Sequence, residues 1–313
     1  MDIKGILEFS KGVLCKKDAL GKQYHGKIAD IDVTITFPSV SIKEKTYPIN
    51  CVGLSNPLKA PMNGKNIKKN GEPLFWGCPM VFPGLNSFVK CALIELSCDF
   101  IDVKQTPQNI YEDIYRWEQA FTSYCQLCTK QHFEQKVKQH HRTEVLLLFS
   151  SEGYIQSNEP FCINGTIHSD NEFVSEQQLS EAISFASSGK ELLLEYQMLL
   201  SAYEDRKHHH YRQAVVDACS AVEICLNNQI AKYCDSIGLK KGILTDKYRY
   251  LSDKFKLISE VDSTIPKYNY KNDVVDVRNA VVHSKSINPS KREIDTLISI
   301  VECVLGHFNK DYY

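Results

Sequence analysis

The hydrophobic positions of this chain change their period near residue 170. Before it they tend to alternate; after it they recur every three or four residues. Ile31, Val33, Ile35 and Phe37 alternate with Asp32, Thr34 and Thr36, the period-2 pattern of a half-buried strand. Val89 to Leu96 and Val145 to Phe149 are denser apolar runs that fit buried strands. Turn-rich stretches lie between them: Pro57, then Pro61 to Gly71 with Asn63-Gly64 and Asn70-Gly71, then Pro79 and Pro83-Gly84. One helix interrupts this half. Thr106 is its predicted N-cap and Pro107 suits the first helical position. Ile110, Ile114, Trp117, Phe121 and Tyr124 follow at helical spacing, ending near Cys128.

Beyond residue 174 the strand signals vanish. Ser175 to Ser188, Glu191 to Arg206, His210 to Cys234, Asp246 to Ile258 and Asn272 to His283 read as successive helices. A last one opens with the capping box Ser290-Lys291-Arg292-Glu293. Val215, Ala218, Val222 and Cys225 give the third helix a stripe of small residues, which lets a neighbour approach closely. The fifth is apolar around most of its circumference, which predicts a central position. The expected fold is α+β. A β-rich sandwich or barrel-like domain with one packed helix spans 1–172, and an all-α helical bundle spans 173–313.

Composition narrows the classes. The formal net charge of −1 over 313 residues supplies no global field toward nucleic acid or acidic lipid, so any polyanion site must be local. No signal peptide pattern is visible and no apolar run is long enough to span a bilayer. The twelve cysteines lie in apolar surroundings and read as reduced, buried thiols. The cytoplasm is the expected compartment, and Asn164-Gly165-Thr166 reads as a turn rather than a glycosylation site.

The chemistry-bearing segment is Asp276-Val277-Arg278-Asn279-Ala280-Val281-Val282-His283. It combines a permanent cation, an amide and a side chain that ordinarily titrates near neutrality. Asn279 and His283 share a helical face, whereas Arg278 and His283 are offset by about 140°. Three arrangements fit: the arginine curls round, the helix ends at His283, or the arginine acts across a subunit interface. The alternative to a site is structural, with Arg278 paired to Asp276 or another carboxylate and His283 capping the helix C-terminus.

Other clusters also have two readings. Arg206-Lys207-His208-His209-His210-Tyr211-Arg212 is either an RNA-binding patch, with Tyr211 stacking on a base, or a solvated junction between helices. Cys125-Gln126-Leu127-Cys128, with His132, His140 and His141, has spacing for zinc but sits on an apolar helical stripe, so core thiols are the expected reading. The basic stretch Lys59 to Lys69, with Lys65, Lys68 and Lys69, is either a ligand- or RNA-binding loop or, as expected, a plain exposed loop between strands. No metal or other cofactor is expected.

The string Arg278 to His283 resembles the R-N-x-x-x-H signature of the HEPN superfamily. Tyr211-Arg212-Gln213-Ala214-Val215-Val216-Asp217-Ala218-Cys219-Ser220-Ala221-Val222-Glu223 resembles the long helix of Apea-type HEPN domains. The resemblance covers roughly 175–310. It implies a metal-independent RNA endonuclease working as a homodimer, with two motifs facing one another, in an antiphage-defence or toxin setting. Arg278 and His283 would be the catalytic pair and Asn279 the polar residue beside them; Glu223 is the matching glutamate, with orientation of Arg278 as its expected role. The β-rich domain would receive a trigger or ligand. The alternative is a non-catalytic HEPN module that binds a nucleotide or a partner.

Overall fold

The computed structural model describes residues 2–38, 68–69, 72–73, 80–81, 84, 86–97, 107–130, 146–150, 153–156, 173–240, 242–284 and 288–309. The chain divides into two compact units, Met1–Glu191 and Leu192–Tyr313. The first carries an antiparallel sheet and two helices; the second is helical.

In the first unit the strands are β1 (Asp2–Cys15), β2 (Gln23–Ile28), β3 (Ile31–Thr36), β4 (Lys68–Lys69), β5 (Glu72–Pro73), β6 (Met80–Val81), β7 (Ser87–Ser97), β8 (Leu146–Ser150) and β9 (Gly153–Gln156). The main sheet has the order β2-β3-β7-β1-β8-β9, with β6 also on β7, and β4 pairs with β5 alone. β1 and β7 form the long central pair. Their register jumps between Glu8 and Val13, and Gly12 there has a φ of 69°, a conformation that costs glycine little. On β3 the predicted alternation holds: Val33 and Ile35 are buried between more exposed Asp32 and Thr34.

Helix α1 (Pro107–Thr129) lays Ile114, Trp117, Phe121 and Tyr124 on the same core as Phe9, Val33, Ile35 and Phe37. The Phe121 ring lies 5.2 Å from both Phe9 and Trp117. Helix α2 (Glu176–Ser187), capped by a Ser175–Gln178 box, adds Leu179, Ala182, Ile183 and Ala186. Its last residue fixes it to the sheet: Ser187 Oγ accepts from Lys27 N at 2.8 Å. A Cβ at position 26 would collide with that hydroxyl, so a larger residue there would displace the Ser187 side chain and its bond to Lys27.

Two expectations change. The alternation predicts a sandwich or barrel, but among the described residues two helices cover the core of the main sheet where a second sheet was anticipated. And α2, read from its periodicity as the first helix of the bundle, packs against α1 and β2. The division therefore falls at 191/192 rather than 172/173. Periodicity reveals that a face is apolar but not which neighbour it meets.

The second unit comprises α3 (Leu194–Lys207), α4 (Tyr211–Ser236), α5 (Ile243–Lys247), α6 (Leu251–Val261), α7 (Val277–His283) and α8 (Lys291–Phe308). A π-helical turn, Lys271–Asp276, leads directly into α7. The centre is α4, whose 26 residues extend about 39 Å and pack against all the other helices. Ala214, Ala218, Ala221, Val222 and Cys225 are fully buried along it, as the small-residue stripe predicts. α3 is tied to α8 by Tyr196 Oη to Leu305 O (3.3 Å), Tyr203 Oη to Glu302 (2.6 Å) and Arg206 Nε to Asp295 (2.5 Å). The helix predicted over 246–258 is instead split at Tyr248–Tyr250 into α5 and α6. The motif helix is not the central one either: in α7 Val281 is buried, while Val282 is 47% exposed.

Candidate active site

Seven residues are too few for an α-helix to persist alone. α7 is held by what surrounds it. Val274 and Val275 in the π turn and Val281 in α7 are buried, and α4 lies beneath. The far end is held by Arg212, from the first turn of α4. Its guanidinium donates to Val281 O at 2.5 Å and to Ser284 O at 2.9 Å. Those are C-terminal carbonyls for which α7 has no partners of its own.

The π turn settles the first structural alternative. With hydrogen bonds running over five residues rather than four, positions 271 and 276 become neighbours. Lys271 Nζ accordingly donates to Asp276 Oδ2 at 2.7 Å. Asp276 is thereby paired, and not with Arg278. Arg278, half-buried, donates from Nη1 to Asn279 Oδ1 at 3.3 Å, a long bond to a neutral acceptor. It forms no ion pair with a carboxylate among the described residues. Asn279 thus spends its oxygen on the arginine, and its NH2 has no partner among the described residues. His283 is exposed in the last turn of α7, the place the capping alternative gave it. The structure brings Arg278 and Asn279 together; it leaves Arg278 and His283 on different sides of a regular helix, offset by about 140°.

Behind Arg278 lies Cys219 of α4. Its thiol is pushed up to about 12, mainly by burial; the Arg278 charge pulls it down and the Glu223 charge pushes it up. Both charges therefore act near one thiol. Glu223 follows Cys219 by one helical turn and shares its face. The expected role of Glu223, orienting Arg278, is not what its contacts show. Glu223 Oε1 accepts from Lys254 Nζ of α6 at 2.5 Å, with the lysine side chain only 6% exposed. Sequence reading passed over Lys254, although a signal was present. Lys254 stands on the apolar stripe of Leu251, Phe255 and Ile258, where a charge needs a buried partner.

The basic cluster forms the turn from α3 to α4. Its charges are largely engaged. Arg206 holds Asp295, His210 Nδ1 lies 3.3 Å from Asp205, and Arg212 holds α7. His209, at the unusual φ of 63°, hydrogen-bonds Tyr211 Oη at 2.9 Å and meets its ring edge-on. Lys207 is half-buried and also has a partner. Of the residues expected to bind RNA, Arg206, Lys207, His210, Tyr211 and Arg212, the two arginines have guanidiniums hydrogen-bonded within the fold. Asp217, which accepts from Gln213 at 2.7 Å, is raised by burial and by Asp205.

The cysteine pair behaves as core. Cys125 is 2% exposed, and burial pushes its thiol well up and that of Cys128 to about 11, the reverse of what a metal ligand needs. Among the described residues no group of three His, Cys, Asp or Glu is placed to hold a metal ion. His132, His140 and His141, the Asn164 turn and the basic loop up to residue 67 lie outside the described residues. No described helix is long and apolar enough to cross a membrane. No family model, curated protein or solved structure matches this chain.

Proposed function

We propose that this chain is a metal-independent RNA endonuclease of the HEPN type, that its helical unit is a HEPN bundle, and that it cuts at a composite site made by two copies. The observation that carries the reading is the state of Arg278. Its nearest acidic neighbour in sequence is held by Lys271, and Glu223 is held by Lys254. A half-buried arginine with no carboxylate partner among the described residues, beside an amide whose NH2 has no partner among them, and on one short helix with an exposed histidine, is prepared for an anion.

The chemistry follows from the groups. The 2′-oxygen attacks the adjacent phosphorus and loses its proton; the 5′-oxygen leaves and takes one. The products are a 2′,3′-cyclic phosphate and a 5′-hydroxyl. Arg278 donates in bidentate fashion to the phosphate oxygens and holds them more tightly as charge builds. Asn279 donates to a non-bridging oxygen. His283 moves a proton. One imidazole cannot serve both oxygens at once, and the offset along α7 keeps Arg278 and His283 of one chain apart. A second copy supplies the missing partner for each.

The test is cleavage of labelled RNA by the purified chain, with and without EDTA. Cleavage that survives EDTA and is lost in a folded His283→Ala variant is the expected result. Undiminished cutting by that variant removes the assignment.

A further inference from the structure

We propose that Arg212 is a positioning residue of this site: it pins the backbone on both sides of His283 and does not contact RNA. The inference rests on the ribonuclease reading above. The two carbonyls it holds, Val281 O and Ser284 O, bracket His283. With both fixed, the backbone that aims the imidazole has little freedom left. The anchor points are themselves rigid, since Val281 is 2% exposed and Ala214 and Val215, just beyond Arg212, are fully buried.

The chemistry of the side chain suits this task. A planar guanidinium can serve two acceptors at once from its two terminal nitrogens; an ammonium on a flexible stem does not hold both in a fixed geometry. Its place in the sequence is otherwise unfavourable. A cation in the first turn of α4 faces the positive end of that helix dipole. Directed at the carbonyl end of α7, the same charge meets the negative end of another. Nη1 and Nη2 are both engaged within the fold, so a phosphate would have to compete with two backbone carbonyls for the face they present.

The experiment compares full-length Arg212→Met and Arg212→Lys with the unsubstituted chain. It reads kcat and KM on RNA, the salt dependence of RNA binding, and amide hydrogen exchange over residues 281–284. For Arg212→Met the expected result is a kcat lower by about 10- to 100-fold, as for displaced catalytic groups generally. KM and the salt slope stay unchanged, and exchange over 281–284 is faster. Arg212→Lys recovers part of kcat, and it carries the comparison if the methionine variant does not fold. A raised KM with a flattened salt slope and an unchanged kcat overturns the proposal in favour of a phosphate contact. Unchanged exchange overturns the clamp itself. If the unsubstituted chain cuts no RNA, the ribonuclease reading fails, and with it the catalytic part of this one; the exchange measurement still decides whether the clamp exists.

Discussion

The α3–α4 turn and helix α7 are both short, cation-bearing and rich in imidazole or amide, yet their charges are in opposite states. In the turn, Arg206 is bound to Asp295 and Arg212 to two carbonyls. In α7, Arg278 has, among the described residues, the amide of Asn279 as its hydrogen-bond partner. Composition favours the turn, which carries more positive side chains. Availability favours α7. An anion site depends on the cations left over after the fold has used the rest, and that is decided by the neighbours of the neighbours. Lys271 occupies Asp276, Lys254 occupies Glu223, and Arg278 is left over.

The largest expected effect breaks this contrast at its centre. Arg278→Ala should reduce RNA cleavage by roughly 100- to 1,000-fold, the range seen when a donor to developing charge is removed. Stability should change little, because no ion pair is lost. A variant with unimpaired cleavage in single-turnover kinetics would place the phosphate elsewhere. Next comes Lys254→Met, which frees Glu223 close to the thiol that also senses Arg278. The carboxylate should then turn to the arginine and raise KM by about tenfold, the equivalent of one modest hydrogen bond. Combining it with Glu223→Gln should restore affinity. If the double variant binds RNA as poorly as the single one, Lys254 does not keep Arg278 available.

Much of this was legible in the sequence, and the boundary of legibility has a physical cause. The period of apolar residues predicted β3, α1, α4 and α8, because those faces are set by local spacing. It placed α2 in the wrong neighbourhood and made one helix of α5 and α6. Both depend on partners distant in the chain: Lys27 and the site at Gly26 for α2, and a local break at Tyr248 for the pair. In the site, Arg278, Asn279 and His283 stood out as residue types at a spacing. Their relation to Asp276 did not, because a π turn changes which residues are neighbours and nothing in the spacing announces one. The ion pair of Glu223 with Lys254 joins residues 31 apart. The charge on an apolar stripe hinted at a partner without naming it.

A smaller effect sharpens the contrast from the other side. Arg206 is a surface-lying ion pair with its partner Asp295 some 40% exposed. Arg206→Ala should leave the salt slope of RNA binding unaltered and lower stability by about 0.5–1 kcal/mol. A slope reduced by close to one counterion per site would mean that the arginine leaves Asp295 for phosphate, and the turn would rejoin the anion site.

The smallest effect concerns an acidic residue of α4, near the same turn. Asp217 is raised from its ordinary value by burial first, and then by Asp205, while Gln213 works against them. A carboxyl raised in the folded state contributes stability below its unfolded pKa and loses it as pH rises through the folded value. At neutral pH the ionised Asp217 therefore opposes folding. Asp217→Asn should raise Tm at pH 7 by an amount worth about 0.5 kcal/mol or less, since the group is partly exposed and solvent screens it. The gain should fade as pH falls through the raised native pKa and be gone below the ordinary carboxylate value of about 4, where both states are protonated. A thermal melt series across that range checks it. A gain that persists at low pH would assign the effect to packing rather than charge. Asp217 would then be as settled in its surroundings as Arg206 and Arg212, in contrast to Arg278.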